Sequence, residues 1–335
     1  MRNRSRRPNA TKAIRGCAVE TRGKVNGPLH FADRLQAATD AKKSCLVVGI
    51  DPVFDRLPAE VVGRVAGLGG ARDGGSGPST ARAAAAIAMF GEEVIRAVAP
   101  HAVAVKPNSA FFERFGPPGW DALGTVCRKA QAAGVITIVD AKRGDLESTA
   151  GAYADALLGD LPDTVGAHAD AVTLHPYMGM DSMRPFLAAA ARGKGLFVLV
   201  RTSNASAAEL QDLDAGGRPL HLRVADLVAR WGEDSIGESG LSAVGAVVGA
   251  TAPRQAAAIR AALPRAMLLV PGYGAQGAGA ADVRPLFLPG GRGAVVNSSR
   301  AVIYAYEKDP NRPWREAIAA AAERARAELE AVRKS

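Results

Sequence analysis

The chain has 335 residues, 48% of them hydrophobic, with a mean hydropathy near zero, enough for one large core or two modest ones. No apolar run reaches the roughly 18 residues of a membrane-spanning helix, residues 1–27 lack the apolar centre of a secretory signal, and Cys17, Cys45 and Cys127 lack disulfide or zinc spacing, so a reduced, cytoplasmic protein is expected. Of the formal net charge of +9, residues 1–27 supply eight Lys or Arg against one Glu, leaving only about +2 for the rest; this stretch reads as a disordered basic tail or an over-extended start, and the nearly neutral body argues against reading the charge as a nucleic-acid signal.

In chain order, a short helix is predicted over Leu29–Ala41, and then Leu46–Asp51 forms an apolar strand ending on an acid. Seven further runs repeat that form: Ala102–Lys106, Ile136–Asp140, Ala171–His175, Leu196–Thr202, Gly245–Thr251, Met267–Gly272 and Gly293–Ser298. None alternates polar with apolar, as expected of parallel strands covered on both faces. Ala-rich stretches of helical period lie between most of them, at Arg82–Val98, Trp120–Ala133, Met183–Ala191 and Pro253–Leu263. Eight strands alternating with helices predict an α/β fold, a single (βα)8 TIM barrel of parallel strands over residues 28–335. Gly67–Thr80 reads as a flexible Gly/Ser-rich surface insertion. Residues 204–240 form a long loop and a helix around His221–Trp231, either a lid or an outer decoration. Pro313 opens a C-terminal helix reaching Lys334.

In such a barrel the polar strand ends meet on one face. The most informative is Asp140-Ala141-Lys142-Arg143-Gly144-Asp145, where the strand is expected to stop at Asp140 and deliver charge to a loop. Two carboxylates beside an ammonium stabilise its protonated form while it keeps them ionised, making Lys142 a poised proton donor. In isolation this pattern is more often a solvated turn. Asp51, Lys106, His175, Thr202, Ser203, Gln276 and Asn297–Arg300 are predicted to converge on the same face. The Pro271–Gly277 loop, with Arg300 after the last strand, predicts a phosphate site. The five histidines lack metal-ligand spacing, and His175 reads as a packed residue. A Schiff-base role for Lys142 or Lys106 requires a neutral amine, which the neighbouring acids disfavour.

With these motifs, from Phe31-Ala32-Asp33-Arg34-Leu35 through Gly49-Ile50-Asp51-Pro52, Val105-Lys106-Pro107-Asn108, Phe111-Phe112-Glu113, Asp140–Asp145, Pro176-Tyr177-Met178-Gly179, Thr202-Ser203-Asn204 and Val248-Gly249-Ala250-Thr251 to Pro271–Gly277, the chain resembles the orotidine 5′-phosphate decarboxylase family in its longer bacterial form, type 2, over about Phe31–Tyr304. The resemblance implies a carboxy-lyase that converts orotidine 5′-monophosphate to uridine 5′-monophosphate, the last step of de novo pyrimidine synthesis, with no metal and no organic cofactor. It implies that Lys142 protonates C6, that Asp140 lies beside the departing carboxylate, and that Asp145 and Thr149 reach into the neighbouring site of a homodimer. By motif position Asp51 and Lys106 hold the ribose hydroxyls, Ser203 the pyrimidine, and Gln276 and Arg300 the phosphate. No nucleic-acid or membrane partner is implied.

The basic leader and the Gly67–Thr80 insertion depart from the family pattern, and residues 204–240 align least securely. Two other readings stay open. One is a magnesium-dependent sugar-phosphate enzyme with the same D-x-K-x-x-D array, such as 3-keto-L-gulonate 6-phosphate decarboxylase or hexulose-6-phosphate synthase. The other is a non-catalytic barrel that binds a phosphate ligand, or nucleic acid through the basic tail.

Overall fold

The computed structural model describes residues 30–67, 79–159, 166–251, 253–274 and 277–334. The basic stretch 1–27, most of the 67–80 insertion and Gln276 lie outside them. Eight strands form a closed, all-parallel barrel in sequence order: β1 Leu46–Ile50, β2 Ala104–Pro107, β3 Ile136–Arg143, β4 Ala171–Leu174, β5 Gly195–Arg201, β6 Ser242–Val248, β7 Ala266–Val270 and β8 Ala294–Ser298, with β8 pairing back onto β1. Every residue of β1, β6, β7 and β8 is buried, as the unbroken apolar runs require.

The longer helices are α1 Phe31–Lys42, α2 Thr80–Val98, α3 Pro117–Ala132, α4 Glu147–Leu158, α5 Met180–Ala190, α6 Leu220–Trp231, α7 Pro253–Ala262 and α8 Trp314–Lys334. The Ser79 side chain caps α2 by accepting from the Arg82 N–H, and the Pro313 carbonyl receives the first α8 bond, from Ala317. Helix α8 packs on α2 and on the outside of β1. Among the described residues no helix is long and apolar enough to cross a membrane.

Two elements differ from expectation. β3 does not stop at Asp140; it runs on to Arg143 through a register shift against β4. The cause is local: the Lys142 N–H goes to the Thr173 hydroxyl at 3.0 Å instead of a ladder carbonyl, and Lys142 takes φ 47°, after which Arg143 resumes pairing with Leu174. A left-handed residue other than glycine costs about 1–3 kcal/mol, and such strain collects at functional positions. β6 lies three residues earlier than the Gly245–Thr251 run, because Ser242 and Ala243 are buried strand residues and the chain turns away after Val248.

Helix α1 closes the amino-terminal end of the barrel. Phe31 is 1% exposed and meets Phe197 edge-on at 5.8 Å, and a Cβ at Gly195 would lie 2.3 Å from the Phe31 ring, so glycine is required there. Burying a phenylalanine stabilises by about 2–3 kcal/mol. Arg34 pairs with Asp170 just before β4 at 2.7 Å, and Gln36 accepts from the Gly293 N–H at 3.3 Å just before β8. With this end closed, the carboxyl ends of the strands form the mouth.

Candidate active site

At that mouth lies a cavity of about 420 Å³ lined by strand ends from around the barrel. β1, β2 and β3 contribute Asp51, Lys106, Asp140 and Lys142. Asp140 is saturated: Oδ2 accepts from Lys106 Nζ at 2.5 Å, while Oδ1 accepts from Lys142 Nζ at 2.6 Å and from the Thr173 hydroxyl at 2.9 Å. Because Thr173 Oγ1 accepts the Lys142 N–H, its proton is directed at Asp140, and one hydroxyl thus orients both residues.

The charges alternate from Asp51 through Lys106 and Asp140 to Lys142. Burial pushes the Asp140 carboxyl up, but the Lys106 and Lys142 ammoniums outweigh it and hold the group well below the usual carboxylate range. Burial likewise pushes Lys106 down, and the Asp140 and Asp51 charges reverse this, so its pKa is raised. Both side chains of that pair are at most 10% exposed, whereas the Lys142 side chain is 47% exposed and faces the cavity. Asp51 Oδ1 is buried without a hydrogen-bond partner among the described residues, and the Asp51 carbonyl accepts from the Tyr304 hydroxyl at 2.9 Å.

The remaining wall comes from β5 to β8. Thr202, Ser203 and Asn204 follow β5, and the Ser203 carbonyl accepts from the Thr251 hydroxyl at 3.0 Å. Gly249 is glycine because a Cβ would sit 2.8 Å from the Ser203 N atom. Pro271, Gly272 and Tyr273 follow β7, with Gly272 and Gly274 at φ 105° and 78°. Arg300 lines the cavity after β8, exposed and without an ion-pair partner among the described residues.

The structure therefore brings Asp51, Lys106, Asp140, Lys142, Ser203 and Arg300 around one cavity. Asp145 and Thr149 stand apart from it: Asp145 Oδ1 caps the Leu146 N–H at 2.7 Å, its own N–H goes to Ser182, and Thr149 is exposed in the first turn of α4. Gln276 lies outside the described residues. His175 packs against Gly144, where a Cβ would fall 2.5 Å from the imidazole. Cys45 and Cys127 are fully enclosed, and burial pushes each thiol up to about 12, which removes both as nucleophiles.

Sequence reasoning missed Asn108 and Thr173 as lining residues, while Asn297 lines the cavity as expected. Thr173 carried a signal, being the one polar residue inside the Ala171–Leu174 strand. Asn297 occupies the corresponding position near the end of β8, and its Oδ1 is buried without a partner.

A family model described as "Orotidine 5'-phosphate decarboxylase / HUMPS family" matches residues 85–317. The chain is 42% identical over 301 residues to the orotidine 5′-phosphate decarboxylase of Rhodopirellula baltica, covering 88% of this chain and 96% of that protein. It is 38% identical over 314 residues to the Bordetella pertussis protein of the same name, covering 91% and 100%. Among solved structures, Leishmania donovani OMP decarboxylase superposes with a TM-score of 0.68 at 33% identity, covering 92% of this chain and all of that one.

Proposed function

The chain belongs to the orotidine 5′-phosphate decarboxylase / HUMPS family, and we propose that it releases CO2 from orotidine 5′-monophosphate to form uridine 5′-monophosphate, the closing step of UMP synthesis. The observation that carries the reading is the Lys142 ammonium, held at 2.6 Å by a buried Asp140 whose carboxyl is kept below its usual range, and open to a cavity that Arg300, without an ion-pair partner among the described residues, also lines.

Loss of CO2 from C6 leaves an electron pair in the ring plane, where the π system cannot delocalise it. Positive charge fixed beside C6 stabilises that pair, and the effect strengthens as the site sheds water. Lys142 then transfers its proton from Nζ to C6 and is reprotonated from solvent. Asp140, kept ionised by Lys106 on its other oxygen, repels the substrate carboxylate until CO2 departs. Asp51 and Lys106 take the ribose hydroxyls, Ser203 the pyrimidine, and Arg300 with Gln276 the phosphate, so that binding energy from the remote anion aligns the reacting end. Turnover of orotidine 5′-monophosphate at equal rates with and without a chelator is the expected result; a rate abolished by chelator and restored by magnesium would favour the sugar-phosphate branch instead.

The working form is a cytoplasmic homodimer in which Asp145 and Thr149 complete the partner's site. Its support is a patch around them: Leu146, Tyr177, Met178 and Met180 are 63%, 85%, 41% and 42% exposed, too much clustered apolar surface for a solitary barrel rim. Sedimentation should show a dimer. Mixing Lys142→Met with Asp145→Asn subunits should recover about a quarter of native activity through hybrid dimers carrying one intact site, by statistical assortment; no recovery overturns the shared-site arrangement.

A further inference from the structure

The segment after β5, long enough to read as a lid or a decoration, is instead pinned to the strand it leaves. Arg201, the last residue of β5 and 7% exposed, donates from Nε and Nη2 to both oxygens of Asp212 at 2.9 and 3.0 Å. Its third nitrogen donates to the Thr202 carbonyl at 2.8 Å. Next to Asp212, Gln211 accepts the Thr202 N–H on Oε1 at 2.8 Å and donates from Nε2 to Thr202 Oγ1 at 2.8 Å. The Thr202 hydroxyl passes its own proton to Asn204 Oδ1 at 2.6 Å. His221, 2% exposed at the start of α6, holds the other side of the clasp, with Nδ1 2.8 Å from the Gln211 carbonyl and 3.1 Å from Asp212 Oδ1. The Arg201 guanidinium and then His221 hold the Asp212 carboxyl below its usual range, so the clasp stays charged near neutrality.

Everything in this ring bears on one neighbour. Ser203, which reads the pyrimidine in the proposed function, is held on its far side by Thr251 and by the close approach of Gly249. On its near side nothing but the Thr202 peptide connects it to β5, and Gln211 occupies both polar groups of Thr202 that would otherwise seek water. We propose that Gln211 is a positioning residue for the base end of the substrate: it acts through Thr202 to hold Ser203 against the pyrimidine, with Arg201, Asp212 and His221 keeping Gln211 in place. This inference rests on the assignment of orotidine 5′-monophosphate as substrate.

The test compares Gln211→Met, which keeps volume and removes both hydrogen bonds, with Gln211→Glu, which keeps the acceptor for the Thr202 N–H. Dissociation constants are measured for UMP and for ribose 5-phosphate, which lacks a base, alone and combined with Ser203→Ala. In Gln211→Met, UMP affinity is expected to fall about tenfold while ribose 5-phosphate changes by less than about twofold, as for loss of one oriented hydrogen bond at the base. In that background Ser203→Ala should cost less than about half, on a logarithmic scale, of what it costs in the native protein, because both changes remove one interaction. Gln211→Glu should stay within about threefold of native for both ligands, and it carries the test should the methionine variant not fold. Equal loss for both ligands, fully multiplicative effects with Ser203→Ala, or native UMP affinity in Gln211→Met would each overturn the positioning role. Failure of the substrate assignment would show separately, as a native protein that neither turns over orotidine 5′-monophosphate nor binds UMP.

Discussion

At the β1–β4 end of the cavity, side chains are bound to one another before any ligand arrives, with Lys106 and Lys142 on opposite oxygens of Asp140 and Thr173 completing the set. At the β7–β8 end the lining is Pro271, Gly272 at φ 105°, Tyr273, Asn297 and Ser299, beside Arg300, which has no ion-pair partner among the described residues. The first end carries internal charge balance held by its own hydrogen bonds, as the proposed electrostatic role requires, since dipoles that reorganise during reaction return part of the stabilisation. The second end carries the Arg300 charge with no ion-pair partner among the described residues, which suits the phosphate of the proposed substrate. In the proposed function, chemistry and grip are thus divided between different strands of one barrel.

The largest effect that would break this division is at Lys142. Lys142→Met should lower kcat by at least about 10⁴-fold, since it removes both the charge stabilisation and the proton. Because that side chain is half-exposed, the unfolding free energy should move by no more than about 1 kcal/mol, and UMP should still bind; a kcat near native would end the reading. Asp140→Asn is expected to cost about 10³-fold in kcat and, unlike Lys142→Met, about 2–4 kcal/mol in stability, because Lys106 is left buried with its closest partner gone. The pH dependence sharpens this point. A depressed carboxyl pKa gives stability that is present above the unfolded value near pH 4 and lost as pH falls through the folded one. The stability gap between the native protein and Asp140→Asn should therefore be widest above about pH 5 and narrow toward pH 2 in denaturant titrations. Lys106, with a raised pKa, contributes stability present below about pH 10 and lost as pH rises above it, leaving the pair intact across neutrality.

At the β7–β8 end, Arg300→Ala should reduce kcat/KM by about 100-fold, mainly through KM, with little change in thermal stability, because the guanidinium makes no ion pair among the described residues. Gly272→Ala should be smallest in catalysis, a few-fold in KM, yet cost about 1–3 kcal/mol in stability from its φ of 105°. Should Arg300→Ala destabilise the fold as much as Asp140→Asn does, the contrast between a self-balanced and a ligand-completed end would fail.

Much of this was legible along the chain. The eight strand runs were visible because parallel barrel strands are apolar on both faces, and each polar terminus marked the mouth. Asp51, Lys106, Asp140, Lys142, Ser203 and Arg300 all stand where strand ends predicted them. β3 was read short because charged residues look like a loop; only the Thr173 hydroxyl, 31 residues downstream, lets the strand continue through Lys142. The function of residues 204–219 was illegible for the same reason, since Arg201, Gln211, Asp212 and His221 show no periodicity and acquire meaning only through mutual distance.

Local patterning, then, was enough to determine the eight-strand barrel and the end at which its polar strand termini gather, because burial on both strand faces and charge at strand ends are properties of short stretches. Which oxygen of Asp140 each lysine holds, that Lys142 adopts a left-handed backbone, and that Asp145 and Thr149 stand outside their own chain's cavity were decided by the tertiary structure alone. Those facts depend on separations of a few ångströms between residues tens of positions apart, and closing the barrel is what sets them.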